Sequence, residues 1–343
     1  MEINGRKIGP DHPPYLIAEI SSNHQRDLDK AKTLIREAQR AGADAVKIQT
    51  FDADSLTIDC NRGDFVIQDP LWKGKTYYQL YTEIAMPREW TAELFAYAAE
   101  LGITLFSSPF DEAAVSLLAT LDAPAYKIAS FEANDWPLIR AAASTGKPLI
   151  ISTGVSTAAE LGAMLEEFVD LSGRIALLHC ISAYPASYDM MNVRALQRLN
   201  AMVPIVGLSD HSLSNVAAIT ATALGACIIE KHFTLSRADG GPDAAFSLEP
   251  HEFAELVETT RQSWYALGDA DVFDTERRVG SQHKRSLYVI CDMLAGEPFT
   301  SENVRAIRPG FGLPPRELGH VIGLRAKQNI ARGTALSWDL IAP

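Results

Sequence analysis

Eight short runs rich in aliphatic and β-branched residues recur along the chain: YLIAEI (15–20), AVKIQT (45–50), TLFSSP (104–109), AYKIAS (125–130), LIISTG (149–154), IALLHC (175–180), PIVGLSD (204–210) and CIIEKHF (227–233). Between most of them lie longer segments, such as DLDKAKTLIREAQRAGA and AAELGAMLEEFVDLSG, in which apolar residues return every three or four positions. That is the spacing of an amphipathic helix. Several of these segments stop at a glycine suited to a left-handed C-cap. Eight strands alternating with helices predict an α/β protein with a (β/α)8 TIM barrel over residues 1–267. The competing doubly wound sheet has no G-x-G-x-x-G turn after the first strand to support it.

Two segments break the rhythm. Residues 51–86 form an insertion between the second and third strands, with Trp72, Tyr77, Tyr78 and Tyr81 close together. A loop of that length and aromatic content reads as a lid or an interface. After a polar linker at 268–284, residues 285–343 form a small separate domain. It carries a loose repeat, GEPFTSENV and GTALSWDLI, in which Thr300 and Ser337 are placed to cap short helices.

The strand ends carry the chemistry. In IIEKHFTLSR (228–237), an apolar strand runs directly into Glu230, Lys231 and His232. Alternate side chains on a strand share a face, so Glu230 goes with His232, Ser209 with His211, and Lys47 with Gln49. A charge pressed against the helix layer is costly, which places these groups inside the barrel near its C-terminal mouth. The same ends contribute Glu19, Asn23, His24, Ser107, Ser108, Lys127, Ser130, Ser152, Thr153, His179, Ser182 and Tyr184. His211 and His232 are either satisfied structural residues or, ending neighbouring strands, a pair that meets at one metal ion. Lys47 and Lys127 either pair with Glu19 or Glu230, or form a cradle for phosphate and carboxylate.

Composition narrows the classes. With 47% hydrophobic and 22% charged residues the chain reads as soluble and globular. Its net charge of −12 argues against nucleic acid as a partner. The N-terminus MEINGRKIGPDHPP has no apolar leader, and the longest largely apolar run, Val216 to Ile229, falls short of a membrane span, so a cytoplasmic protein is expected. Cys60, Cys180, Cys227 and Cys291 form no CxxC pair and read as buried thiols. From His283 onward eight Lys/Arg face five Asp/Glu, so the tail is net positive while the remainder is strongly negative.

The motifs AEISSNH, GADAVKIQTF, FSSPFD, PAYKIAS, KPLIISTG, LLHCISAYP, GLSDHS, IEKHFTLSRADGGPDAAFSLEP and IRPG resemble the sialic acid synthase family, from about residue 3 to the C-terminus. The resemblance implies condensation of phosphoenolpyruvate with an amino sugar to a nine-carbon α-keto acid, and a tail of the antifreeze-like (SAF) type. LWKGKTYYQLYTEIAMPREW, FSLEP and KRSLYVI are most similar to the branch that uses 2,4-diacetamido-2,4,6-trideoxy-altrose. By matching motif, His211 and His232 would hold a divalent metal, commonly Mn²⁺. Lys47, Gln49, Ser108, Lys127, Ser130, Ser152, Ser182, Tyr184 and Ser209 would bind substrate. Glu19 would position or deprotonate a reacting group, with His232 and Asp243 beside it in the catalytic set. Arg308 would reach the sugar in the neighbour's barrel of a domain-swapped homodimer. The sequence departs from other branches at Ser108 and Ser182, where they often carry Thr and Asn. Alternatives are a family member acting on a different amino sugar, a Schiff-base aldolase using Lys47 or Lys127 as the amine, and a sugar-binding protein without catalysis.

Overall fold

The structure, a computed structural model, describes residues 1–68, 73–171, 173–273 and 279–342. It comprises two compact units, Met1–Gly268 and Asp269–Pro343.

The first unit is a closed barrel of eight strands. They are β1 (Tyr15–Glu19), β2 (Ala45–Thr50), β3 (Thr104–Pro109), β4 (Tyr126–Ile128), β5 (Leu149–Ser152), β6 (Ile175–Cys180), β7 (Val206–Asp210) and β8 (Ile228–His232). Each pairs in parallel with its sequence neighbour, and β8 closes onto β1 with His232 opposite Glu19. The expected barrel is therefore present, each predicted run containing one strand. Leu28–Arg40 shows why the outer helices form: Asp27 accepts the Lys30 N–H as N-cap, and Ala31, Leu34, Ile35 and Ala38 supply the buried stripe. Trp90–Leu101 ends at Gly102, whose φ of 71° is the left-handed C-cap conformation.

Strand alternation divides the apolar residues between two cores. Leu16, Val46, Ile48, Leu105, Leu177 and Ile229 face outward into the helix layer. Tyr15, Ile17, Ala45, Phe106, Ala125, Ile150, Leu178 and Ile228 face inward and plug the barrel floor. The N-terminal hairpin adds Ile3 and Ile8 to that plug.

The 51–86 segment folds locally around Ala53–Leu56 and Tyr77–Ile84, both with capping boxes. Phe51, directly after β2, packs edge-on against Tyr81 and against Phe110, directly after β3. Trp72 lies outside the described residues.

In the second unit, β9 (Ser286–Val289) pairs antiparallel with β10 (Val304–Ile307) around a core of Leu287, Val289, Phe299, Val304, Val321 and Leu336. The two expected caps are not helical caps of the predicted kind. Thr300 accepts the Glu302 N–H in a turn without a helix, and the 3₁₀ segment Trp338–Leu340 receives no side-chain bond from Ser337 to its backbone. Isolated antiparallel bridges pair Pro298 with Arg325 and Ala335 with Tyr288, two residues before each of these positions. The thiols also differ from expectation: Cys180 and Cys227 are buried, Cys60 only partly, and Cys291 is exposed on the small unit. Among the described residues, no helix is long and apolar enough to cross a membrane.

Candidate active site

Two residues beyond the apolar floor, the inward positions turn polar on strand after strand: Ile17 gives way to Glu19, Ala45 to Lys47, Phe106 to Ser108, Ala125 to Lys127, Ile150 to Ser152 and Ile228 to Glu230. At the centre Lys47 Nζ lies 3.0 Å from Glu19 Oε2 and 3.2 Å from Glu230 Oε1, while Lys127 Nζ lies 3.6 Å from the same Glu230 oxygen. Ser209 Oγ donates to Glu230 at 2.9 Å, and Gln49 Nε2 donates to Glu19 Oε1 at 2.9 Å. The lysine–carboxylate pairing weighed from the sequence is thus present, within a cluster that holds both cations.

The charges in this cluster are unequal. Burial works to raise Glu230, but the Lys127 and Lys47 ammonium groups outweigh it and hold the carboxyl down at about 2. Burial, with Glu230 adding to it against Lys47, lifts Glu19 to about 7. Burial also works against the Lys47 charge, yet its two carboxylate neighbours keep it above the ordinary lysine value, whereas burial lowers Lys127. One ammonium between two carboxylates keeps Glu230 ionised and leaves Glu19 to exchange its proton near neutral pH. When Glu19 holds its proton, the two lysines face the single carboxylate of Glu230. Among the buried hydroxyls, Ser108 Oγ and Ser152 Oγ have no hydrogen-bond partner.

Further round the mouth, Ser182 Oγ lies 3.5 Å from Ser130 Oγ, which accepts the Val155 N–H at 3.1 Å. Gly154 has to be glycine here: an added Cβ would stand 2.6 Å from Cys180 Sγ, 2.7 Å from Ser182 Oγ and 2.9 Å from Ser130 Oγ. Glu132, in the 3₁₀ turn Ser130–Glu132 after β4, is a further group that strand-end reasoning missed. Its Oε2 is buried without a partner, and burial, opposed by Lys127, raises its carboxyl to about 7.

His211 and His232 come together with ring centroids 5.5 Å apart. Phe246 stands edge-on to His232 at 4.9 Å, and Tyr184, itself 45% exposed, tilts over His211 at 4.4 Å. His211 Nδ1 is 2.8 Å from the Ile181 carbonyl, which only accepts, so this nitrogen carries the proton and Nε2 keeps its lone pair. The buried Nδ1 of His232 has no hydrogen-bond partner. Burial depresses both imidazoles, His232 to about 3, so both are neutral at neutral pH. Two neutral imidazoles with free lone pairs fit a divalent cation as donors. Among the described residues no group of three or more His, Cys, Asp or Glu side chains completes such a site. Asp243 is held by Ser22 N and Oγ at 3.3 and 2.7 Å.

Several residues expected at the mouth lie elsewhere. Ser107 faces outward, bonded to Thr50 Oγ1 and the Ile48 carbonyl, because it alternates with Ser108. His179 likewise faces outward and bonds the Met191 carbonyl, and Thr153 donates to the Leu178 carbonyl. Asn23 bonds Phe233 O and Ser247 Oγ, tying the first loop to the last strand. His24, driven down to about 4 by burial, accepts the Arg26 N–H. Arg308 is an exposed residue of the second unit, directly after β10.

An α/β barrel with lysines, hydroxyls and an imidazole pair at its C-terminal mouth defines a class of anion-handling barrel enzymes. Within that class, residues 34–272 match the NeuB family and residues 284–342 the SAF domain. The chain belongs to the NeuB family. It is 39% identical over 335 residues to a pseudaminic acid synthase of Helicobacter pylori, covering 95% of this chain and 97% of that one. It is 41% identical over 329 residues to one of Campylobacter jejuni, covering 95% and 96%. A solved N-acetylneuraminic acid (sialic acid) synthetase of Leptospira borgpetersenii is similar at 30% identity and a TM-score of 0.73, with 82% of this chain and 93% of that one covered.

Proposed function

We propose that the protein is a transferase that condenses phosphoenolpyruvate with 2,4-diacetamido-2,4,6-trideoxy-altrose and water, giving pseudaminic acid and phosphate. Identity of about 40% to pseudaminic acid synthases across nearly the whole chain supports the sugar. The observation that carries the reaction is the convergence of Lys47, Lys127, two unpartnered serine hydroxyls and two neutral imidazoles on one barrel mouth. Lys47 and Lys127 would take the phosphate and carboxylate, with Ser108, Ser130, Ser152, Ser182 and Ser209 donating to their oxygens. The enol C3 attacks the sugar aldehyde carbon, water adds at C2, and the tetrahedral product loses phosphate by C–O cleavage. Glu19, poised near 7, would accept the proton from the attacking water or a sugar hydroxyl. His211 and His232 would hold a divalent cation, Mn²⁺ by family resemblance, which when bound polarises the aldehyde carbonyl. Tyr184 and Asp243 would bound the sugar side.

Mass spectrometry of products formed from phosphoenolpyruvate and a panel of acetamido and diacetamido sugars tests this. The altrose compound should be turned over fastest. Preference for N-acetylmannosamine would reassign the enzyme to another branch, and a borohydride-trapped lysine adduct would favour a Schiff-base aldolase.

The protein is further proposed to act in the cytoplasm as a homodimer in which Arg308 serves the partner's barrel. The net positive tail and negative remainder support such docking. After subunit exchange, mixing Glu19→Ala with Arg308→Ala chains should recover some turnover, because one hybrid site is intact. Exchange without recovery rules out a shared site.

A further inference from the structure

On the helix-facing side of β7 and β8, directly behind the imidazole pair, Lys231 Nζ lies 2.5 Å from Asp210 Oδ2, and neither side chain has any exposed surface. Lys231 also donates to the Ser214 carbonyl at 2.9 Å and reaches Ser212 Oγ at 3.4 Å. Asp210 Oδ1 accepts the Ser212 N–H at 2.8 Å. Neither charge faces the barrel interior, so the proposed reaction makes no direct use of them. A buried ion pair is seldom worth more to stability than apolar residues of the same volume. Its location suggests a different role.

The register shows what the pair controls. Ser209 stands opposite Glu230 and Asp210 opposite Lys231, and there the ladder between these strands ends. His211 and His232 follow one residue later, beyond the last registered pair of β7, which stops at Asp210. Inside the barrel the Ser209–Glu230 bond joins the two strands one level below the histidines. Outside it the Asp210–Lys231 pair joins them at the final level, and the bonds to Ser212 and Ser214 tie down the loop that leaves His211. From its other side His211 is fixed by the Ile181 carbonyl and, through its own carbonyl, by the Ala186 N–H. A two-imidazole seat depends on the separation of its donors, since no third protein donor compensates for a lost one among the described residues.

We infer that the buried Asp210–Lys231 pair is a positioning clamp that sets the spacing of His211 and His232 for one divalent cation. The inference rests on the proposal that these histidines hold the cation. Lys231 and Asp210 are positioning residues, reaching the cation only through the strands.

The test uses the full chain with Co²⁺ and Mn²⁺ as probes, in the wild type, Lys231→Met, Asp210→Asn and a His211→Ala/His232→Ala control. Calorimetry reads the affinity, visible absorption reads the Co²⁺ geometry, and phosphoenolpyruvate binding without metal reports the integrity of the anion cradle. The clamp predicts Co²⁺ affinity reduced roughly 10- to 100-fold, as for other supporting partners of metal ligands, with a changed absorption spectrum and unchanged phosphoenolpyruvate affinity. Should a single variant fail to fold for want of a partner charge, Asp210→Leu/Lys231→Met removes both charges together and carries the same expectation. Folded variants that bind Co²⁺ with wild-type affinity and spectrum would reduce the pair to a structural feature, while the histidine control still loses the metal. A histidine control that binds Co²⁺ like the wild type would instead overturn the metal assignment, and the clamp with it.

Discussion

The floor and the mouth of the barrel interior are built from the same strands, yet they are finished differently. At the floor Tyr15, Ile17, Phe106, Ile150, Leu178 and Ile228 bury one another. At the mouth Glu19, Lys47, Lys127, Ser152, Ser209 and Glu230 are equally buried but polar. The switch takes two residues, about 7 Å of strand. The floor's apolar contacts are non-directional and close upon themselves, although the Tyr15 hydroxyl there is also buried without a hydrogen-bond partner. The mouth stays incomplete: Ser108 Oγ, Ser152 Oγ and Glu230 Oε2 are buried without hydrogen-bond partners. Each such orphan costs about 1–3 kcal/mol. Burial alone therefore does not separate structural from functional residues here. Unfilled bonding capacity is not confined to the mouth, since the Tyr15, Thr91 and Tyr126 hydroxyls are also buried without partners, but at the mouth three inward strand-end groups share it.

Phe106 and Ser108, on one strand and one face, allow the sharpest break of this comparison. Phe106 is fully buried in the floor, so Phe106→Ala should lower stability by about 3–5 kcal/mol in urea titrations. The folded fraction should bind phosphoenolpyruvate as before. Ser108→Ala should show the opposite pattern. Removing an unpartnered hydroxyl should raise stability by up to about 1–3 kcal/mol, while the lost donor costs about 0.5–1.5 kcal/mol of phosphoenolpyruvate binding, roughly 2- to 13-fold by calorimetry. If Ser108→Ala instead destabilises like a core truncation and leaves binding intact, the mouth is an extension of the floor and the distinction fails.

The barrel was legible because each strand alternates residues that must all be buried, and the helices between them carry a different period. The placement of Lys47, Lys127, Glu230 and His232 inside followed from period-two geometry together with the cost of a charge against the helix layer. The same rule, applied residue by residue, would have moved Ser107 and His179 to the outer face, since each is adjacent to an inward position. Lys231 shows the limit of a cost argument: a charge against the helix layer is tolerated when its counter-ion comes from the next strand, and Asp210 lies 21 residues away in sequence. Glu132 was missed for a related reason. It sits in a 3₁₀ turn beyond the strand, where no periodicity announces the direction of a side chain. The pairing of Lys47 with two carboxylates at once depends on barrel closure between β8 and β1, which strand pattern implies but does not measure.

Glu132 gives the finest sharpening of the contrast, because it titrates at the mouth whereas Ile150 of the floor carries no ionisable group. Burial raises its carboxyl from the ordinary 4.5 to about 7 in the folded chain. Between those values the folded state holds a proton that the unfolded state has released. Its contribution to stability is therefore fully present below about pH 4.5, declines as the pH rises toward 7, and is gone above that, where the carboxylate is ionised in both states. Glu132→Gln removes this titration, so the stability of the wild type relative to the variant should fall across that window and then level off. A floor variant such as Ile150→Val, which changes no ionisable group, should differ from the wild type by the same amount at every pH. Thermal or urea unfolding of the three proteins across the window measures both differences. Parallel curves for wild type and Glu132→Gln would mean that Glu132 ionises as an ordinary surface carboxylate and takes no part in the unfinished chemistry of the mouth.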